Sequence, residues 1–127
     1  MKKIINTNEA PSAIGPYSQG TVSSGLVFVS GQLPIDPATG AFPPGGIAAQ
    51  TKQSIKNLEA ILSQAGCTLR DVVKTTVFLQ DIGDFNAMNE VYAQYFTTEC
   101  PARSAVQVAA LPKGALVEIE AIASKSE

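Results

Sequence analysis

Arg103 and Glu118 carry the chemistry that this sequence can offer, because the chain of 127 residues contains no histidine. Without an imidazole, histidine-dependent triads and most zinc and transition-metal sites drop out, leaving carboxylate, hydroxyl, guanidinium and backbone groups. Both residues fall in the stretch PARSAVQVAALPKGALVEIEAIAS, which predicts strands over 103–108 and 116–124 with a reversal at Pro112, Lys113 and Gly114. Alternation at period two puts Val117, Ile119, Ala121 and Ala123 on one face of the second strand. Glu118 and Glu120 share the other, roughly 7 Å apart along the strand. Arg103 opens the preceding strand, and the only other arginine is Arg70. A guanidinium and a carboxylate on neighbouring strands form either a polar site or an exposed cross-strand ion pair of small energetic value. Both readings stand on this stretch alone.

The elements that must position these groups have to come from one core. With 45% hydrophobic residues, a single domain over 1–127 can bury roughly two-thirds of the surface of its unfolded chain. The formal net charge is −2 and the lysines are scattered, so extended RNA binding or docking on acidic membranes is disfavoured. The opening MKKIINTNEAP lacks an apolar run of signal-peptide length, and no window approaches a membrane span, so a cytoplasmic location is expected. Cys67 and Cys100 are solitary, without metal-binding or redox spacing.

A short strand is expected over 3–6, then a shaped loop through Pro11, Gly15 and Pro16. Residues 18–23 and 26–30 read as a hairpin across Ser24 and Gly25, and a Pro- and Gly-rich excursion follows as far as Gly46. Thr51, Ile55, Leu58, Leu62 and Ala65 then recur at helical spacing, with Lys52, Lys56, Glu59 and Ser63 opposite and Gly66 as the stop. Residues 72–79, VVKTTVFL, are β-branched and aromatic and predict an interior strand. Asp81 and Asp84 offer caps for a second helix to about Phe96, in which Phe85, Met88, Tyr92 and Tyr95 mark a core-facing stripe. The order predicts an α+β domain, two helices covering one face of a single mixed sheet. The apolar run 26–29, with Ala105, Gln107 and Ile122 assigned to the second face, predicts that this face meets another copy of the chain.

Five blocks carry a family resemblance: APSAIGPYSQ at 10–19, SGQLP at 30–34, VKTTVFL at 73–79, PARS at 101–104 and VEIEAIA at 117–123. In this order, and spanning nearly the whole chain, they resemble the signature blocks of the RidA, or YjgF, family. The resemblance implies a chorismate-mutase-like α+β fold, a homotrimer with three intersubunit clefts, and no cofactor. It also implies hydrolysis of reactive 2-imino acids, such as the tautomers of 2-aminoacrylate and 2-aminocrotonate, to 2-oxo acids and ammonia. The resemblance further implies that such intermediates are released by PLP-dependent dehydratases and damage other PLP enzymes if they persist.

By the same resemblance, Arg103 grips the substrate carboxylate, a task its planar fork suits because two parallel hydrogen bonds fix position and orientation together. Glu118 holds or activates the hydrolytic water. Tyr17, Ser30, Gly31 and Asn89 line the cleft. Ala105 stands where many relatives have cysteine, so its main-chain groups are the expected contact. Three other readings come from different classes: a single-strand ribonuclease or translation inhibitor, a non-catalytic 2-oxo-acid sensor or chaperone-like trimer, and a chorismate mutase. The first lacks a basic stripe and a stacking platform, and the last lacks the cations that a dicarboxylate needs.

Overall fold

The computed structural model describes residues 1–125. Six strands form one mixed sheet: β1 Lys3–Ile5, β2 Gly20–Ser23, β3 Leu26–Gln32, β4 Val72–Leu79, β5 Ala102–Gln107 and β6 Val117–Ser124. Their spatial order is β1-β2-β3-β6-β4-β5. Helices α1 Gly46–Gln64 and α2 Phe85–Tyr95 pack on one face. The predicted α+β architecture is therefore the observed one, and β4 is interior, flanked by β5 and β6.

α1 forms where apolar residues recur at helical spacing, and it buries Thr51, Ile55, Leu58, Ile61 and Leu62 against the sheet and α2. Gly66 ends it in the left-handed region, φ 82°, where a Cβ would be strained. Between β3 and α1 the Pro-rich excursion needs partners for its carbonyls, and buried Asn57 supplies them, its Nδ2 donating to the carbonyls of Leu33 at 3.1 Å and Ile35 at 2.9 Å. Met88 and Tyr92 of α2 are buried as the stripe requires, with Phe85 and Tyr95 half-buried beside them. Of the two expected caps, Asp81 accepts a hydrogen bond from Gly83 N at 2.8 Å in a short 3-10 turn, Ile82–Asp84. Asp84 makes no side-chain capping bond.

Two expectations are corrected. The strands carrying Arg103 and Glu118 are not a hairpin: β5 runs parallel to β4 on one side, and β6 runs antiparallel to β4 on the other. Helix α2 makes the crossover that a parallel pair requires. The connection from β5 to β6 steps across the end of β4, where Val108 N donates to Leu79 O at 2.9 Å and Gln80 N to Leu116 O at 3.0 Å. Ala105 and Gln107 also change faces. Their partners in β4 are Val77 and Leu79, both fully buried beneath the helices, so they sit on the covered side.

The face without helices carries Ile4, Phe28, Ile122, Phe78 and Val106, as the cross-strand register dictates. In the single chain Ile4 is 57% exposed, Phe28 41% and Val106 44%. No helix among the described residues is long and apolar enough to cross a membrane.

Candidate functional site

Arg103 lies on the helix-covered side of the edge strand β5, opposite Thr75 of β4. Its side chain reaches over α2, against Phe85, Asn89 and Tyr92. Nη1 donates to Asn89 Oδ1 at 2.7 Å, and Cζ stands 4.7 Å from the ring centroid of Tyr92 and 5.4 Å from that of Phe85. The guanidinium is half-buried, with aromatic faces against it and one N–H engaged. A guanidinium has five N–H donors, so the remainder stay available to an incoming anion. Ala105, two residues along the same side of β5, is half-buried against the core. Thus Arg103 and Asn89 come together, with Ala105 on the same face of the same edge.

Glu118 lies elsewhere. It alternates with the buried Val117 and Ile119 and therefore projects from the open face, as does Glu120. A Cβ built on Gly31 would overlap the Glu118 carboxylate, so the acid rests directly on the glycine backbone. Gly31 leaves that space open, and a side chain there would force the Glu118 carboxylate to shift. Burial pushes the Glu118 carboxyl above the usual 4.5, and the neighbouring Glu120 carboxylate pushes it further. A carboxyl so placed exchanges protons closer to neutral pH than a free one, which suits an acid–base role.

Tyr17 and Ser30 border this second cluster. Ser30 Oγ donates to Ser18 O at 2.6 Å, and Ser30 N to Gln19 O at 2.9 Å, tying the shaped loop to β3. Tyr17, 53% exposed, stands between two concavities. One, of about 600 Å³, is bordered by Ser30, Phe28, Glu120 and Ile122; the other, of about 270 Å³, by Gly31, Ile14, Leu33 and Lys113.

The seven site residues thus divide into two clusters. Arg103, Asn89 and Ala105 occupy the covered side at β5; Gly31 and Glu118, bordered by Tyr17 and Ser30, belong to the open side at β3 and β6. Strand spacing and rise put the Cα atoms of Arg103 and Glu118 on the order of 14 Å apart, with their side chains on opposite faces of the sheet. The expected pairing of the two on neighbouring strands of one chain is corrected accordingly, since β4 stands between them.

Several residues on which the clusters depend escaped the sequence reading. Gln19 is 2% exposed, accepts from Thr7 N at 2.7 Å, and donates to the carbonyls of Thr7 at 3.0 Å, Ala10 at 3.3 Å and Pro11 at 2.7 Å. It satisfies the loop that presents Tyr17, and a buried amide inside a Pro-rich loop leaves no periodic signal. The helical stripe predicts a core role alone for Phe85 and Tyr92, yet both present ring faces to Arg103. Among the described residues no group of three or more His, Cys, Asp or Glu converges as a metal site would require.

Residues 7–125 match the family model described as endoribonuclease L-PSP. A Bos taurus protein named 2-iminobutanoate/2-iminopropanoate deaminase is 55% identical over 123 residues, covering 97% of this chain and 90% of its own. Among solved structures, the Rid-family protein YyfA of Yersinia pestis superposes with a TM-score of 0.95 at 51% identity, covering 98% of this chain and 99% of that one. E. coli TdcF, crystallised with bound serine, gives a TM-score of 0.93 at 48% identity, covering 98% of this chain and 99% of that chain.

Proposed function

The chain belongs to the endoribonuclease L-PSP family, the RidA/YjgF proteins, and from that membership we propose that it is a 2-iminobutanoate/2-iminopropanoate deaminase. It hydrolyses reactive 2-imino acids to 2-oxo acids and ammonia. One pairing carries the reading at the level of residues: a stacked guanidinium at the β5 edge and, on the open face, a carboxyl whose proton affinity burial raises are the two groups that this reaction needs.

Arg103 takes the substrate carboxylate in its free N–H edge, while Asn89 keeps the fork from turning away. Glu118, ionised, accepts a proton from water as the water oxygen bonds to the carbon of the protonated imine and the C=N electron pair moves to nitrogen, neutralising it. The resulting carbinolamine takes a proton on nitrogen from Glu118. The hydroxyl oxygen then forms the C=O bond as the C–N bond breaks, its proton passes to the departing ammonia, which leaves as ammonium, and the 2-oxo acid remains. The carboxylate ends as it began, so the cycle consumes water alone. A raised carboxyl pKa serves both transfers, and such general acid–base assistance contributes on the order of a hundred- to ten-thousand-fold.

Because the two clusters face away from each other within one chain, a complete site takes Arg103, Asn89 and Ala105 from one protomer and Glu118 with Gly31, Tyr17 and Ser30 from another. The assembly proposed is a homotrimer with a site at each subunit junction, in which contact between copies covers Phe28, Val106 and Ile4. A cytoplasmic setting, beside the PLP-dependent dehydratases that release such imines, fits this chemistry. Each chain contributes through a single domain, since one sheet and one core support both clusters.

The deciding experiment is release of ammonia and 2-oxo acid from freshly generated 2-aminoacrylate and 2-aminocrotonate, with Arg103→Ala and Glu118→Ala beside the parent. Light scattering on the same sample should give three times the 13.2 kDa chain mass. No release above the spontaneous rate, or a monomeric mass, rejects the proposal. The nucleolytic activity named in the family description has less support here: the net charge is −2 and the histidine count is 0.

A further inference from the structure

We propose that Tyr92, braced by Thr75, is a positioning residue that fixes the plane of the Arg103 guanidinium and thereby sets affinity for the substrate carboxylate. The inference rests on Arg103 being the carboxylate anchor. A free arginine side chain samples many rotamers, and bidentate recognition demands one plane and one direction. Asn89 fixes a single N–H, which alone would leave the fork free to pivot about that bond. The rings remove the pivot: Tyr92 lies 4.7 Å and Phe85 5.4 Å from Cζ, and a cation is held over such faces by the ring quadrupole.

The Tyr92 ring is itself immobilised. Its hydroxyl and Thr75 Oγ1 are 2.8 Å apart, in a site where Thr75 is fully buried and Tyr92 only 6% exposed. Phe96 stacks on the same ring at 4.4 Å between centroids. Thr75 is the cross-strand partner of Arg103, so the brace and the anchor start from adjacent backbone positions on β4 and β5. Engagement with Thr75 also satisfies the phenol without drawing on a guanidinium N–H. Burial raises the Tyr92 pKa, so the ring stays a neutral phenol at ordinary pH. For core packing alone, a phenylalanine facing a valine would have served at these two positions; the paired hydroxyls add a lock on ring rotation that packing does not need.

The test uses the assembled protein and two readouts: calorimetric affinity for 2-oxobutanoate, the product-like probe, and KM against kcat for the imine. Parent, Arg103→Ala, Thr75→Val, Tyr92→Leu and Tyr92→Phe are compared. A series in which phenylalanine at position 92 carries one, two and three fluorines completes the set. Fluorination drains the ring face with almost no change in shape, so it reads the cation contact and leaves packing alone. The expected results are a loss of about threefold to tenfold in affinity for Tyr92→Leu, with kcat nearly kept, and a stepwise fall along the fluorine series. Smaller losses are expected for Thr75→Val and Tyr92→Phe. An affinity that is flat along the fluorine series, while Arg103→Ala abolishes binding, overturns the positioning role and leaves the anchor intact. Undiminished binding by Arg103→Ala overturns both. If Tyr92→Leu fails to fold, the near-isosteric fluorinated proteins carry the same comparison.

Discussion

Asn89 Oδ1 accepts a 2.7 Å hydrogen bond from Arg103 Nη1 across the seam between α2 and the edge strand β5. The bond is charge-assisted and half-buried, the class worth roughly 1.5–3 kcal/mol. Because its hydrogen bond orients the anchor, Asn89→Ala should raise KM by about tenfold and lower kcat little. Asn89→Asp should do worse, since a carboxylate would neutralise the guanidinium meant for substrate. Steady-state kinetics on the two variants check the order, and equal KM values for parent and both variants would release Asn89 from this role.

Gly31 and Glu118 give the second prediction. A methyl at Gly31 occupies the space of the Glu118 carboxylate, so Gly31→Ala must push the acid off its seat. Activity should then fall by about a hundredfold or more, close to the loss in Glu118→Gln, while affinity for a 2-oxo acid through Arg103 survives. The double variant should be hardly worse than either single one, because both remove the same group. Multiplicative losses would mean that Gly31 acts separately from Glu118.

The third concerns pH. Burial, then Glu120, holds the Glu118 carboxyl above 4.5, so the folded chain binds its proton more tightly than the unfolded chain does. Glu118 therefore costs nothing while both states are protonated, and it destabilises the fold progressively as pH rises from 4.5 through the higher folded value. Glu118→Gln should accordingly unfold at higher denaturant than the parent at about pH 8, with the gap closing by about pH 4, at matched protein concentration. Activity runs the other way, since the base must be ionised: kcat/KM should climb with pH along a limb whose midpoint exceeds 4.5, and Glu118→Gln should lose that limb.

What the sequence could disclose follows from where a pattern is local. The helix over Thr51 to Ala65 was legible because its buried and exposed faces differ at every turn, and 72–79 because β-branched residues crowd it. Strand β5 was different. In ARSAVQ both alternating sets, Ala102-Ser104-Val106 and Arg103-Ala105-Gln107, mix polar with apolar, so its face is decided by register with β4, a non-local fact. That register is what moved Ala105 and Gln107 to the covered side and parted Arg103 from Glu118. The connection from Val108 to Leu116 was a usable warning, being too long for a tight hairpin. Contacts such as Gln19 with the loop carbonyls, or Tyr92 with Arg103, left no trace in spacing, since neither partner predicts the other.

The division of the site yields the last prediction. If Arg103 of one protomer serves Glu118 of another, Arg103→Ala and Glu118→Ala homotrimers are each inactive in every site. Subunit exchange between them must then create some sites that are intact, because a junction can draw its arginine from the Glu118→Ala chain and its glutamate from the Arg103→Ala chain. In a randomly mixed trimer of equal parts, about one junction in four receives both native groups, so roughly a quarter of parental activity should return after co-refolding and remain absent when the two are mixed folded. Were both groups drawn from one chain, no mixture could assemble an intact site, and activity would stay at the level of the separate variants. Recovery thus depends on which face of the sheet each residue occupies, and the register Thr75 to Arg103 and Phe78 to Glu118 puts them on opposite ones.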